Sequence, residues 1–592
     1  MHLASEKCFL PRRTRLNHTR MVVATPSPGK AWLNKISRWP ERHPNWTLTL
    51  IVFAALGPFL AKPFNIDDPL FIWAARQIQA HPANPYGFDV QWSWTAFPMW
   101  KITENPPLAC YYLAGMAGIF GWSEIALHFA FLLPALAVIL GTHRLARHFC
   151  PQPMLAALTT LFTPVFLVSS LTVMCDVTMV AFWVWTVVFW VEGTKQDKLW
   201  KLFTAGWLIA LAEMTKYFGA CLIPLLAAYS LISRRRLGQW GQFLLIPLAV
   251  LCAYQYVGQA VYGYSLLYRV MDYVSASRDF FGFSKIHLGL TALAFTGGCL
   301  AVVLLFAPLL WRPRALATFA GGAVLIAIVL SLNQAMWGNY VGLQDAARTS
   351  AEIQFIFWAT GGVGVLILAL ADVRDRREAR SWLLALWVGG TFLFAAFFNW
   401  TVNGRSLLPM APAVGILIAR RLGRGIPAGR GIGSRGAVVC LAASALLSLL
   451  VTRSDFLLAA AVRRCADQIC ARYGRDTGTL WFQGHWGFQY YMQSFGASVF
   501  DVKRSRLKPG DGLVVPANNT NVLPPDPDNG RLLEFLTISG PHWLTTWNRS
   551  LGAGFYASSM GPLPFAFGRV PPESASVYVL RPPAPAPPRE TK

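Results

Sequence analysis

Residues 62–112 read KPFNIDDPLFIWAARQIQAHPANPYGFDVQWSWTAFPMWKITENPPLACYY, and the reading of this stretch decides the rest. It follows the first strongly apolar segment of the chain. Two adjacent carboxylates, Asp67 and Asp68, sit just beyond that segment. Neither enters hydrocarbon cheaply, so they belong at the water interface or in a buried polar site. LFIWAARQI then carries apolar residues at helical spacing, followed by Pro, Asn and Gly turn signals and by Glu104-Asn105-Pro106-Pro107. The pattern predicts a polar active-site loop, residues 63–124, laid across the outer surface of a membrane.

Composition supports the membrane. Of 592 residues 54% are hydrophobic and only 14% charged, with mean hydropathy +0.41, which excludes an ordinary soluble enzyme. The 24 tryptophans suit a protein with many helix ends at headgroup level. A net charge of +24 raises nucleic acid as a partner, but the basic residues fall in short clusters between apolar runs. That is the pattern of cytoplasmic membrane loops, and nucleic-acid binding is excluded on it. The ten cysteines show no CxxC and no metal-type spacing, and most read as small packing residues.

In chain order, residues 1–46 form a basic cytosolic tail with no signal-peptide core, and Met21 is an alternative start. The transmembrane region is expected over 47–452, with about thirteen spans near 47–62, 125–142, 155–173, 177–192, 199–214, 217–232, 241–261, 287–309, 315–335, 353–371, 382–399, 406–420 and 437–452. Residues 106–121, PPLACYYLAGMAGIFG, are short for a span and open on two prolines, so they read as an interfacial helix. With that reading, the inside loops hold about three times as many Lys and Arg as the outside loops. The N-terminus is then cytoplasmic and residues 453–592 are extracytoplasmic.

That last region changes character. TGTLWFQGHWGFQYYMQ, ASVFDV, GDGLVVP and SVYVL read as strands between Gly, Pro and Asp turns, giving a small α/β or mainly β domain with a disordered RPPAPAPPRETK tail. Cys465 and Cys470 lie where oxidation is permitted, but five residues apart on a helix they face differently, which disfavours a disulfide.

Charged residues that apolar surroundings make expensive mark the candidate site. In the expected topology Asp67, Asp68, Glu104, Asp176, Lys216, Arg278 and Arg405 all lie at or near the outer surface. Any one of them read alone is as readily a helix-end anchor. The Asp67-Asp68 pair stands out because two like charges side by side need a cation, a metal or a shared proton. Asp176 sits between two apolar segments and needs a partner, and Lys216 is the same case with opposite sign, with Glu213 one turn earlier as a simple local partner.

Together, the acidic pair, ENPPLACYYLAG, DVTMVAFW, TKYFGACLIPLL and NGRSLLPMAPAVGILIAR occur in an order that resembles the protein O-mannosyltransferases and the bacterial lipid A aminoarabinose transferases. Both have the multi-spanning GT-C glycosyltransferase fold. The resemblance covers roughly residues 45–420. It departs at Asp68, where the family often has Glu, and at Asn105, where it often has a Lys that can meet the donor phosphate. The resemblance implies transfer of a hexose or pentose from a polyprenyl-phosphate donor to a hydroxyl of a protein, lipid or glycan at the outer face of a bacterial inner membrane, with inversion. It further implies Asp67 as general base, Asp68 as its assistant, and Lys216, Arg405 or Arg278 as contacts for the donor phosphate, with Asp176 supporting the polar site. Some members bind a divalent metal through the Glu matching Glu104 and others need none, so a metal cofactor stays open. GHWGFQYY is similar to uncharacterised members of the group and adds no mechanism. A multi-spanning transporter and a lipid-linked oligosaccharide ligase or polymerase remain alternatives, although no repeated half of the kind transporters show is found in the sequence.

Overall fold

Long apolar runs become helices because a backbone away from water must satisfy its N–H and C=O groups within its own segment. The computed structural model describes residues 42–235, 238–332, 335–338, 340, 342–424 and 435–581. Most of the expected basic tail, and the Pro-rich end from residue 582, lie outside these described residues. Among them, eight helices are long and apolar enough to cross a membrane: Glu124–Ala146, Asp176–Gln196, Tyr217–Arg234, Gln239–Tyr262, Pro313–Leu332, Asp345–Arg376, Ala379–Phe398 and Arg435–Tyr473. Each matches an expected span. Some turn a bare apolar face outward, as Leu325 and Leu332 do at 61% and 79% exposed, which suits lipid and not water.

The other five expected spans are shorter or broken, each for a local reason. The first is the helix Pro44–Leu56 with a 3₁₀ turn, Gly57–Phe59. The segment 155–173 divides at Pro164 into Pro153–Leu161 and Pro164–Ser169, since proline cannot continue the helix before it. Leu199–Thr215 ends at Lys216, whose backbone turns extended. Residues 285–310 form three pieces, Lys285–Cys299, Val302–Leu305 and Ala307–Leu310, and the last segment is Met410–Leu422.

The loop after the first helix contains the helix Asp68–Ala80, a hairpin pairing Asp89–Gln91 with Ala96–Pro98, and the helix Leu108–Phe120. At 13 residues, roughly 20 Å, Leu108–Phe120 is too short to cross a hydrocarbon core of about 30 Å and packs on Asp68–Ala80 and Glu124–Ala146. The loop expected between the spans near 241–261 and 287–309 holds a further amphipathic helix, Leu266–Phe281.

Helix Arg435–Tyr473 runs through residue 452, where a boundary is expected, and continues beneath a five-stranded mixed sheet. The strand order is Ser498–Val499, Leu480–Phe482, Gly512–Pro516, Glu573–Leu580, Gly530–Ile538, with the first three parallel and the last two pairings antiparallel. One reading of this region is corrected. GHWGFQYYMQ is not strand: Trp486–Ser494 is a helix, buried from Gly487 through Met492. A short continuous aromatic run has no periodicity to separate a buried helix from a buried strand. Cys465 and Cys470 are free thiols, and Cys470 Sγ lies 3.7 Å from Met492 Sδ.

Candidate functional site

The turn that presents Asp67 is strained and held from several sides. Ile66 has φ +49°, a left-handed conformation that a β-branched residue adopts only at a cost of about 1–3 kcal/mol. Asp68, fully buried, holds the turn: its Oδ2 accepts from Asn65 N–H and its Oδ1 from Val173 N–H, both at 2.9 Å. Burial lifts its carboxyl to about 7, against the lowering effect of Lys62 and of these two amides. From the C-terminal region, Tyr491 Oη accepts from Phe64 N–H at 2.8 Å. Gly487 meets the same residue so closely that a Cβ there would stand 2.3 Å from the Phe64 carbonyl oxygen.

Asp67 lies at the start of helix Asp68–Ala80, but its side chain does not cap that helix. Its Oδ2 instead accepts from Arg405 Nη2 at 2.7 Å. Arg405 comes from the short helix Gly404–Leu407, which Asn403 caps by accepting from Ser406 N–H. Its Nη1 also stands 3.9 Å from Asp176 Oδ2, and its guanidinium lies 5.9 Å from the Tyr556 ring centre. Lys216 Nζ donates to Asp176 Oδ1 at 2.7 Å. Four separate segments therefore meet in one ionic cluster, Asp67–Arg405–Asp176–Lys216. Glu213 does not pair with Lys216: it is buried, and neither of its oxygens has a hydrogen-bond partner among the described residues.

The cluster opens on a cavity of about 920 Å³ lined by Asp67, Glu104, Lys216 and Arg405, with Tyr273 from helix Leu266–Phe281. Burial first, and the nearby Asp67 second, raise the Glu104 carboxyl to about 7 against the pull of Arg405, Lys216 and a hydrogen bond with Tyr273. Two sequence candidates stand apart. Asp68 serves the turn and does not line the cavity, because its oxygens are engaged by backbone amides. Arg278 points to the carbonyls of Phe397 and Asn399, ties down the end of helix Ala379–Phe398, and does not line it either.

Sequence reasoning missed the far wall. Trp486, Asn519, Asn521, Arg549 and Tyr556 reach into the cavity from the C-terminal region. Tyr556 Oη donates to Asp455 of helix Arg435–Tyr473, at 2.9 Å from Oδ2, and Asp455 pairs with buried Lys62 at 2.5 Å. A line of contacts thus runs from Lys62 through Asp455 and Tyr556 to Arg405. The available signal was GHWGFQYY, an aromatic cluster in a region otherwise rich in turns.

The family described as dolichyl-phosphate-mannose-protein mannosyltransferase matches residues 104–256. ENPPLACYYLAG, DVTMVAFW and TKYFGACLIPLL all lie in that interval, and the resemblance drawn from them is borne out there. Among solved structures, the chain is similar to the oligosaccharyltransferase AglB from Archaeoglobus fulgidus in complex with an inhibitory peptide and a dolichol-phosphate, at 13% identity and TM-score 0.44, covering 78% of this chain and 65% of that one. It is also similar to ArnT from Cupriavidus metallidurans bound to undecaprenyl phosphate, at 14% identity and TM-score 0.38, covering 83% and 93%. A third likeness is to the arabinofuranosyltransferase AftD from Mycobacteria, at 10% identity and TM-score 0.39, covering 92% and 40%. The chain thus spans just under two thirds of the length of the oligosaccharyltransferase. Comparison with curated protein sequences gives no match.

Proposed function

We propose that this protein is a membrane glycosyltransferase that moves a sugar from a polyprenyl-phosphate donor to an acceptor hydroxyl at the outer face of the membrane, with inversion. The observation that carries the reading is the ionic cluster, which sets a carboxylate and two cations around one cavity. The acceptor oxygen attacks the anomeric carbon while the bond from that carbon to the phosphate oxygen breaks. Asp67 takes the hydroxyl proton. The leaving polyprenyl phosphate is a stable anion that needs positive charge more than a proton, and Arg405 and Lys216 supply it. Arg405 is shared by Asp67 and Asp176. A phosphate competing for Arg405 would free Asp67 to act as a base. Asp68 keeps the turn in place, and Asp176 holds both cations.

Two carboxylates, Asp67 and Glu104, face the cavity, and among the described residues no group of three His, Cys, Asp or Glu could hold a metal alone. Hard cations such as Mg²⁺ commonly take one or two carboxylates and complete their shell with phosphate and water. Asp67 and Glu104 fit that use, and the ion would neutralise charge on the phosphate. The test of the whole reading is transfer of a labelled sugar from purified polyprenyl-phosphate donors to extracted envelope acceptors, analysed by mass spectrometry. Donor consumption that yields neither a sugar-modified acceptor nor free sugar overturns it.

A further inference from the structure

A second cavity, about 1040 Å³, lies where the first loop meets the C-terminal sheet, and it shares no lining residue with the reaction cavity. Its size is at the upper end of ligand sites, roughly 300–1,000 Å³. Two indoles line it, Trp73 from helix Asp68–Ala80 and Trp481 from the sheet. Trp481 is fixed in place because its Nε1–H donates to Asp511 at 3.0 Å. Gln77, Gln489 and Gln493 lie beside them. Gln77 Nε2 donates to the Asn84 carbonyl at 3.3 Å and Gln489 Oε1 lies 3.4 Å from His485 Nδ1, so the exposed Gln493 carries the amide open to a ligand among the described residues.

The charges here divide into those engaged and those available. Asp501 accepts from Ala96, Lys503 and Arg504 N–H and from Thr95 Oγ1, while Asp511 accepts from Thr479 and Lys508 N–H besides Trp481. These carboxylates staple loops and have little capacity left for a ligand. Asp89 stands 3.4 Å from Arg504. Among the described residues Arg76 meets only the Tyr490 hydroxyl, at 3.5 Å, and the Trp122 ring. The side chains of Arg506 and Lys508 make no ion pair or hydrogen bond among the described residues.

We propose that this cleft binds an oligosaccharide carrying carboxylate or phosphate groups, which serves as the acceptor. Indoles stack on the C–H faces of sugar rings and amides bond hydroxyls, while Arg76, Arg506 and Lys508 meet the anionic groups. Neither feature alone selects this class; a neutral glycan leaves Arg76 and Arg506 without an anionic partner, and a bare anion leaves two indoles and the Gln493 amide unused. The cleft also adjoins the reaction cavity. Trp73 packs edge-on against Trp92 at 6.1 Å, and Trp92 lines the reaction cavity, so the two spaces are joined through an indole pair in their walls. The acceptor role rests on the transferase reading; the binding does not.

The experiment titrates the full-length protein in nanodiscs by tryptophan fluorescence, using tetragalacturonic acid, pentamannosyl phosphate, neutral maltotetraose and inorganic phosphate. One or both anionic oligosaccharides should saturate, and which one does identifies the anionic group. The double variant Arg506→Gln/Lys508→Gln should weaken that binding at least tenfold while leaving hydrolysis of the polyprenyl-phosphate donor unchanged. Absence of saturation, equal binding of maltotetraose or of phosphate alone, or an unaffected double variant overturns the site. Such a failure with donor hydrolysis intact leaves the transferase reading standing.

Discussion

Replacing Asp67 with Asn tests the centre of the mechanism. Asn retains an oxygen that can accept from Arg405 Nη2, now 2.7 Å from Asp67, but it cannot take the acceptor proton. The loss on the folding side is moderate. Asn keeps a hydrogen bond to the charged guanidinium, so the cost is the lost carboxylate charge. It lies below the about 3–5 kcal/mol of breaking a buried ion pair outright, because Asp176 still faces Arg405, and stability should fall by about 1–3 kcal/mol. The loss in rate is larger, since a positioned base contributes about 10²–10⁴-fold, or about 3–5 kcal/mol of barrier. Donor affinity should hold or improve, because one negative charge beside the phosphate is gone and Arg405 is freer to meet it. Single-turnover transfer, donor binding and a melting curve on the same preparation separate the three quantities. Turnover within threefold of wild type, in a variant that binds donor normally, would refute Asp67 as the base.

Other substitutions distinguish the neighbours. Lys216→Met and Arg405→Met should each weaken donor binding about 10–100-fold, the equivalent of one charge-assisted hydrogen bond, whereas Arg278→Met should leave the donor Kd unchanged and lower the melting temperature; the reverse pattern would return Arg278 to the site. Asp68→Asn leaves Asn65 or Val173 N–H without an acceptor and should cost about 1–3 kcal/mol of stability with near-normal turnover in the folded fraction. Because Asp68 is raised to about 7 in the fold from an unfolded value near 3.9, its contribution to stability is full below about pH 4. That contribution is lost as pH rises through 7, and Asp68→Asn should remove the slope. Glu104 is likewise raised to about 7, so in chelator-treated buffer donor affinity should fall as pH rises through 7 and its carboxylate appears beside the phosphate. Glu104→Gln should flatten that step, and a step that persists assigns it elsewhere. A reporter active only in the cytoplasm, fused at the C-terminus, should be silent; a bright signal inverts the expected topology.

The helical membrane class was legible because apolar runs long enough to span leave few other structures for the backbone. The breaks at Pro164 and after Thr215 were written in the sequence too, but hydropathy averages over them. In the site, Asp67, Asp176, Lys216 and Arg405 could be picked out because a charge in apolar surroundings needs a partner. Which partner each takes is a matter of tertiary packing. Glu213 is one turn from Lys216 in sequence and still does not bond to it, because Lys216 ends the helix and turns toward Asp176. Only the resemblance ranks Asp67 and Asp68, as base and assistant. The residues themselves do not separate them, since consecutive residues at a helix start point in different directions and only the fold shows that Asp68 is the one that holds Val173. The Tyr556 wall was illegible for a related reason: nothing local to FYASSM indicates that it packs under an arginine about 150 residues earlier.

That wall also has a consequence for the making of the protein. The turn bearing Asp67 is supported by Tyr491, and the arginine it faces rests on Tyr556, roughly 490 residues downstream of Asp67. At 5–20 residues per second, translation separates the first of these groups from the last by about 25–100 s. During that interval the growing chain displays its acidic loop without the far side of the cavity. The strand Glu573–Leu580, which lies between two earlier strands, is still unmade. A half-synthesised molecule beside lipid-linked sugars would therefore be chemically silent, and competence to transfer would arrive late and all at once.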